Sequence, residues 1–138
     1  MKLILHLFIT LVLLFGSLGA IEFRDMQEIS LKKDEQTKIL VKYKDSVRLF
    51  KLRWTLYVNE GLVLFHSYDK QVAQNILYLN TKNQSFKVYL KTRGADHYEP
   101  PYFLVKFKEF DYGKNSASFE LFLSDKKSQI EIEYLGND

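Results

Sequence analysis

An alternation of apolar and polar residues with a period of two runs from Thr37 to the end of the chain. A β-strand turns successive side chains to opposite faces of its sheet, so this period predicts strands that each bury one face. The clearest run extends from Phe50 to Val58, with Trp54 at its centre, and polar turns such as Lys44 to Ser46 separate it from its neighbours. No convincing amphipathic helix follows Ala20.

These short strands predict an all-β domain of six to eight strands, either an antiparallel β-sandwich or a small barrel. The layout is similar to that of an immunoglobulin-like sandwich, although the cysteine pair of true immunoglobulin domains is missing from this cysteine-free chain. Asp69 to Asn75 breaks the alternation and is predicted to be a loop or a single helical turn. Residues 21–35 are predicted to be an edge strand or a docked arm. Asn59 to Gly61 is predicted to be a short hairpin loop in which Gly61 takes a positive φ.

The apolar phase of the strands defines the predicted core. Its members are Phe50, Leu52, Trp54, Leu56, Phe86, Val88, Leu90, Phe103, Val105, Phe107, Phe119, Leu121, Leu123, Ile130 and Ile132. A smaller apolar set falls on the outward phase: Val47, Leu49, Tyr57, Tyr89, Leu104 and Phe122. We expect these outward residues to be covered by a second layer or by the segment from Ile21 to Leu31, or to be exposed for a partner.

The first twenty residues have the layout of a secretory signal peptide. Lys2 precedes an apolar run from Leu3 to Phe15, and small residues follow up to Ala20. We predict a signal helix that is removed after Ala20, leaving residues 21–138 as one domain. An uncleaved membrane anchor is the alternative, and it would give a membrane-bound structural subunit. A secreted domain without disulfides favours a bacterial envelope protein, located in the periplasm or outside the cell.

The longest irregular stretch, residues 93–102, holds both prolines and is the expected place for a site on a β scaffold. Its candidate residues are Asp96, His97, Tyr98 and Glu99. With His66, three of them (Asp96, His97 and Glu99) offer ligands for a metal or a general base, so a small metal-dependent protein or hydrolase is the alternative function. The chain has no nucleophile motif and no phosphate-binding glycine loop. We therefore expect a binding module rather than an enzyme, with no cofactor and no metal.

Charge is distributed unevenly along the chain. Between Lys32 and Lys108, fifteen Lys or Arg stand against seven Asp or Glu, whereas from Glu109 to Asp138 three stand against seven. The basic residues interleave with aromatic ones on the outward phase, and the candidate binding face comprises Lys51, Arg53, Tyr57, Lys87, Tyr89, Lys91, Lys106 and Lys108. If their strands share a sheet, this face suits an anionic envelope polymer, a lipid headgroup or an acidic protein. Nucleic acid is not expected as a partner of an exported protein. Contact with a membrane is expected only if the leader remains uncleaved. The competing interpretation is a solvated lysine face that keeps the sheet soluble.

We predict that the protein recovered from the envelope or the medium begins near Ile21, because the apolar leader is short and ends in small residues. Intact mass spectrometry measures this directly. A product that still begins at Met1 would favour the membrane-anchored subunit instead.

Overall fold

The computed structural model describes residues 23–91 and 99–138, which form two antiparallel β-sheets. The strands are β1 (Asp25–Lys32), β2 (Gln36–Tyr43), β3 (Ser46–Val58), β4 (Gly61–Tyr68), β5 (Gln71–Tyr78), β6 (Ser85–Tyr89), β7 (Tyr102–Asp111), β8 (Ser116–Ser124) and β9 (Glu131–Asn137). The four-stranded sheet has the order β1-β8-β7-β6 and the five-stranded sheet the order β5-β4-β3-β2-β9. The predicted signal helix lies outside the described residues.

The two sheets share one core and form a sandwich, which confirms the all-β prediction. Strands β2 to β5 form one antiparallel meander and β6 to β8 another, while β1 and β9 each join the sheet opposite to their sequence neighbour. Immunoglobulin domains follow a different order, ABED in one sheet and CFG in the other. The similarity to them therefore ends at the two-layer architecture. In the described part of the chain, no helix is long and apolar enough to cross a membrane.

Most of the predicted core is buried between the sheets, and Phe86 and Ile132 are partly buried against it. The prediction for Leu56 is wrong, because 49% of this residue is exposed. The register between β3 and β4 shifts between Trp54 and Leu56, which marks a β-bulge. A bulge adds one residue to a strand and exchanges the faces of the residues that follow it. Leu56 consequently points outward, and Tyr57 packs against the core.

Two local predictions around β4 are also wrong. Gln71 to Asn75 belong to β5, and the turn before it is only Asp69 and Lys70, which both have positive φ as a type I′ hairpin turn requires. In the preceding turn, Asn59 and Glu60 take the positive φ values instead of Gly61. Gly61 instead allows a close approach, since a Cβ there would lie 3.0 Å from the ring of Tyr78.

The segment before β2 forms β1, an edge strand of the four-stranded sheet. Of the two predictions for residues 21–35, the edge strand is therefore the one confirmed, over Asp25–Lys32. β1 pairs with β8 along its whole length, and Phe23 just before it contacts the outward-facing ring of Phe122 with 4.8 Å between centroids. The buried indole N–H of Trp54 donates to the carbonyl of Leu31 at 2.8 Å. This bond joins β3 of one sheet to β1 of the other.

Trp54→Ala is expected to lower the free energy of unfolding by about 3 to 5 kcal/mol, because a large buried side chain leaves a cavity. Leu56→Ala is the matched control in the same strand, and its exposed site predicts a change of no more than about 0.5 kcal/mol. Denaturant unfolding measures both. Equal losses in the two variants would mean that the bulge is misplaced.

Candidate functional site

A cleft of about 590 Å³ opens at one end of the sandwich, and we call it the end cleft. The five-stranded sheet lines it with Val41, Tyr43, Ser46, Arg48 and Tyr68. The chain segments after β6 and β8 complete it with Leu90, Lys91, Glu99, Pro100, Pro101, Asp125, Lys126, Lys127 and Gln129. The site therefore lies where the strands end and the chain crosses between sheets.

Tyr68 holds this end of the sandwich together. Its buried hydroxyl donates to the carbonyl of Leu90 at 2.7 Å, and the Leu90 N–H donates to the carbonyl of Pro101 at 2.8 Å. Burial is the main cause that raises the pKa of the Tyr68 phenol, so it stays a neutral donor. These bonds connect β4, the end of β6 and the segment before β7 beneath the cleft.

Four cationic side chains line the end cleft: Arg48, Lys91, Lys126 and Lys127. They face two carboxylates, Glu99 and Asp125. The Asp125 side chain is only 2% exposed, and it accepts hydrogen bonds from Arg24 at 2.8 Å and from the backbone N–H of Ile130 at 2.7 Å. Because the charge of Asp125 is balanced by Arg24 outside the lining, the cleft presents an excess of positive charge.

Tyr43 and Lys91 form an aromatic and cationic pair within the cleft. The Lys91 Nζ lies 5.0 Å from the centroid of the Tyr43 ring, and that of Lys44 lies 5.3 Å from it. Desolvation is the largest single effect on the Tyr43 phenol and acts to raise its pKa, but the two ammonium groups together outweigh it and lower the pKa. Lys91 also donates to the side-chain oxygen of Gln129 at 3.1 Å.

Glu99 marks the rim of the cleft and is the one loop candidate within the described residues. It accepts hydrogen bonds from the Lys87 ammonium at 3.0 Å and from the Tyr89 hydroxyl at 3.1 Å. The bond from Lys87 is the main cause that lowers the pKa of Glu99. Asp96, His97 and Tyr98 lie outside the described residues, so their roles stay predictions.

His66 is partly buried beside two rings of the core and does not line the end cleft. Its ring stacks on Phe86 with 4.8 Å between centroids and lies 6.4 Å from Phe50. Burial lowers the pKa of His66, and the neighbouring Asn75 side chain opposes this only in part. Across residues 23–91 and 99–138, no group of three or more metal-ligating side chains is assembled.

The predicted basic and aromatic face is divided between the two sheets. Lys51 and Arg53 lie on β3 of the five-stranded sheet, whereas Lys87, Tyr89, Lys106 and Lys108 lie on β6 and β7 of the four-stranded sheet. Lys91 lines the end cleft. The placement of Tyr57 on this face is wrong, because the bulge turns its ring inward. The strands therefore do not provide the shared sheet on which the single face depended.

Two lysines of the predicted face that lie outside the cleft have carboxylate partners. Lys87 pairs with Glu99 at 3.0 Å and Lys108 with Glu28 at 2.9 Å. These ion pairs agree with the competing interpretation, in which these lysines belong to a solvated, charge-balanced face. The sequence did not reveal the cleft, since its cations come from three separate stretches of chain. Only the adjacent Lys126 and Lys127, in a predicted turn, were a local signal for it.

Tyr57 instead joins an aromatic cluster at the opposite end of β3 from Arg48. Its ring stacks on Phe110 with 4.0 Å between centroids, and Trp54 meets Phe110 edge-on at 5.5 Å. Tyr112 contacts both Tyr57 and Phe110 while remaining 76% exposed. A hydrogen bond with Tyr112 is the main cause that raises the pKa of Tyr57 to about 12. This end of the sandwich is thus filled by rings.

His66→Phe is expected to make stability less sensitive to acid. The pKa of His66 in the folded protein lies below its ordinary value of 6.5, so the unfolded chain takes up the proton first as the pH falls. The wild type therefore loses stability between pH 7.5 and pH 5.5, roughly the range over which an ordinary histidine titrates. Urea unfolding of both proteins at the two pH values measures the difference. An equal or larger loss in the variant would show that His66 does not contribute.

Comparisons with known proteins identified no relative of this chain. A scan against protein-family models, a search of curated proteins and a search of solved structures each found no match to this chain. What the end cleft could bind therefore follows only from the residues that line it.

Proposed function

We propose that the chain is an exported, non-catalytic binding module of the bacterial envelope, and that its end cleft takes an anionic ligand. The observation that supports this most is the convergence of four cationic side chains on one cleft, where Asp125 is already balanced by Arg24. The leader-like N-terminus supports export. Envelope polymers, lipid headgroups and acidic proteins supply carboxylate or phosphate groups in that compartment.

The cleft has the size and chemistry for a single anionic unit. Its volume of about 590 Å³ lies within the range of small-ligand sites. The guanidinium of Arg48 offers a planar fork for a carboxylate or phosphate, and lysines act as more adaptable point charges. Tyr43, Pro100 and Pro101 add apolar walls. This combination favours one charged unit of a polymer, or one headgroup, over a broad protein surface.

Arg48 and Lys91 are available to a ligand at small cost. Arg48 pairs with Asp69 at 3.2 Å, but both side chains are more than a third exposed. Exposed ion pairs contribute only about 0 to 1 kcal/mol, so a ligand with a better geometry replaces them readily. The side-chain partner of Lys91, Gln129, is neutral. An incoming anion therefore adds a charge partner to Lys91.

The alternative of a hydrolase or metal-dependent protein has less support. A general base works best with a pKa near the ambient pH, whereas contact with Lys87 lowers the pKa of Glu99. His66 lies among core rings instead of beside Glu99 at the cleft. The arrangement of the described residues therefore supports anion binding more than catalysis.

The combined variant Arg48→Gln, Lys91→Gln and Lys126→Gln is expected to weaken anion binding at least about tenfold, because charged groups in contact with the ligand contribute most of its affinity. The matched control removes three charges from the outer faces, with Lys51→Gln, Arg53→Gln and Lys106→Gln. Isothermal titration at low and high salt measures both variants. The probes are a short polyglutamate peptide, a short inorganic polyphosphate and vesicles of anionic phospholipid.

We expect the control to bind each probe with an affinity within about twofold of the wild type. Wild-type binding is expected to weaken as salt is added, because the Debye screening length falls to about 8 Å at physiological ionic strength. The probe that binds most tightly identifies the source of the anion. Equal losses in the two variants would assign binding to overall charge and contradict the cleft. Failure of the wild type to bind all three probes would contradict anion binding itself.

A further inference from the structure

The edges of the two sheets are not equally protected. The edge strands are β1 and β6 in one sheet and β5 and β9 in the other. An edge presents unpaired N–H and C=O groups, and proteins usually guard it with charged residues, proline or a short strand. β1 contains Asp25, Glu28 and Lys32, β9 contains Glu131 and Glu133, and β6 has only five residues. β5 has eight residues, with the sequence QVAQNILY, and none of these protections.

Apolar side chains on the outer face accompany this edge. Val72 is 71% exposed and Ile76 is 46% exposed, and both lie on β5. Ile76 lies opposite Val63 of β4, which in turn lies opposite Leu56 of β3. An exposed apolar row that runs to an open edge is typical of a surface that is covered by a partner.

We infer that two copies of this chain pair antiparallel through β5, so that their five-stranded sheets become one continuous sheet. A two-fold axis places an edge strand opposite itself, so any charge on that edge can be matched only by another residue of the same edge. An edge that binds a different protein can carry charges, because the partner can supply the opposite ones. Of the edge strands in the described parts of the chain, β5 alone has no charged residue, so self-pairing leaves no charge on it unmatched.

The side chains select one register for this pairing. With Gln74 on the two-fold axis, Val72 of each copy lies opposite Ile76 of the other, and the two Gln74 amides face each other. Sliding one strand by two residues would oppose Gln74 to Ile76, and sliding it by one would place outward residues opposite inward ones. The register centred on Gln74 is therefore the one that matches apolar with apolar and amide with amide.

The absence of cysteine makes this register directly testable, because one introduced thiol has no competitor in the chain. Opposed residues in antiparallel strands have Cα atoms about 4.5 to 5.5 Å apart, within the range that a disulfide spans. Gln74→Cys is expected to form a cross-linked dimer under mild oxidation at least about tenfold faster than Val72→Cys. The two copies of residue 72 would lie about 13 Å apart along the strands. An equimolar mixture of Val72→Cys and Ile76→Cys is expected to cross-link as a mixed dimer.

A charge variant tests the pairing without cross-linking. Gln74→Lys places two ammonium groups face to face and is expected to weaken dimerisation at least about tenfold in sedimentation equilibrium. Leu135→Lys, at an exposed position of β9, is the matched control and is expected to leave the dimer unchanged. Circular dichroism verifies that each variant keeps the wild-type fold. A wild type that stays monomeric at all concentrations, equal cross-linking of Gln74→Cys and Val72→Cys, or equal weakening by Leu135→Lys would overturn the inference.

Discussion

Two buried hydrogen bonds from side chains to the main chain tie one sheet of the sandwich to the other. The Trp54 indole donates to the Leu31 carbonyl, and the Tyr68 hydroxyl donates to the Leu90 carbonyl. A buried carbonyl left without a donor costs about 1 to 3 kcal/mol, so each bond restricts how the sheets can slide on one another. Apolar packing alone is not directional. The bonds therefore help to fix the relative position of the two sheets. The end cleft and the aromatic cluster at the opposite end both depend on that position.

The two ends of the sandwich are built differently because of where the strands are irregular. β3 has a bulge after Trp54, and β7 has one after Phe107. Both lie towards the same end, where they turn Tyr57 and Phe110 into contact with each other. Aromatic rings close that end. At the other end, β2, β3 and β4 and the chain segments after β6 and β8 line an open cleft with an excess of positive charge.

The end cleft depends on the crossings of the chain between the two layers. The crossing after β8 is held by Asp125, which binds Arg24 and the backbone of Ile130 and so keeps the neighbouring Lys126 and Lys127 beside the opening. The opposite wall comes from β2 and β3, which carry Tyr43 and Arg48. The proposed anion site and the proposed pairing edge are separate surfaces, because β5 contributes no residue to the cleft.

The sequence by itself determined that the chain is all-β and which side chains form most of its core, because strand geometry imposes a period of two on any half-buried strand. It failed at Leu56 and Tyr57, since the bulge that exchanges their faces is set by pairing with β4 and leaves no local signal. Only the tertiary structure decided that Lys51 and Lys87 lie on different sheets, and that Arg48, Lys91 and Lys126 meet at one cleft. Strand order and register arise from contacts between residues far apart in the chain, whereas alternation is a property of each strand alone.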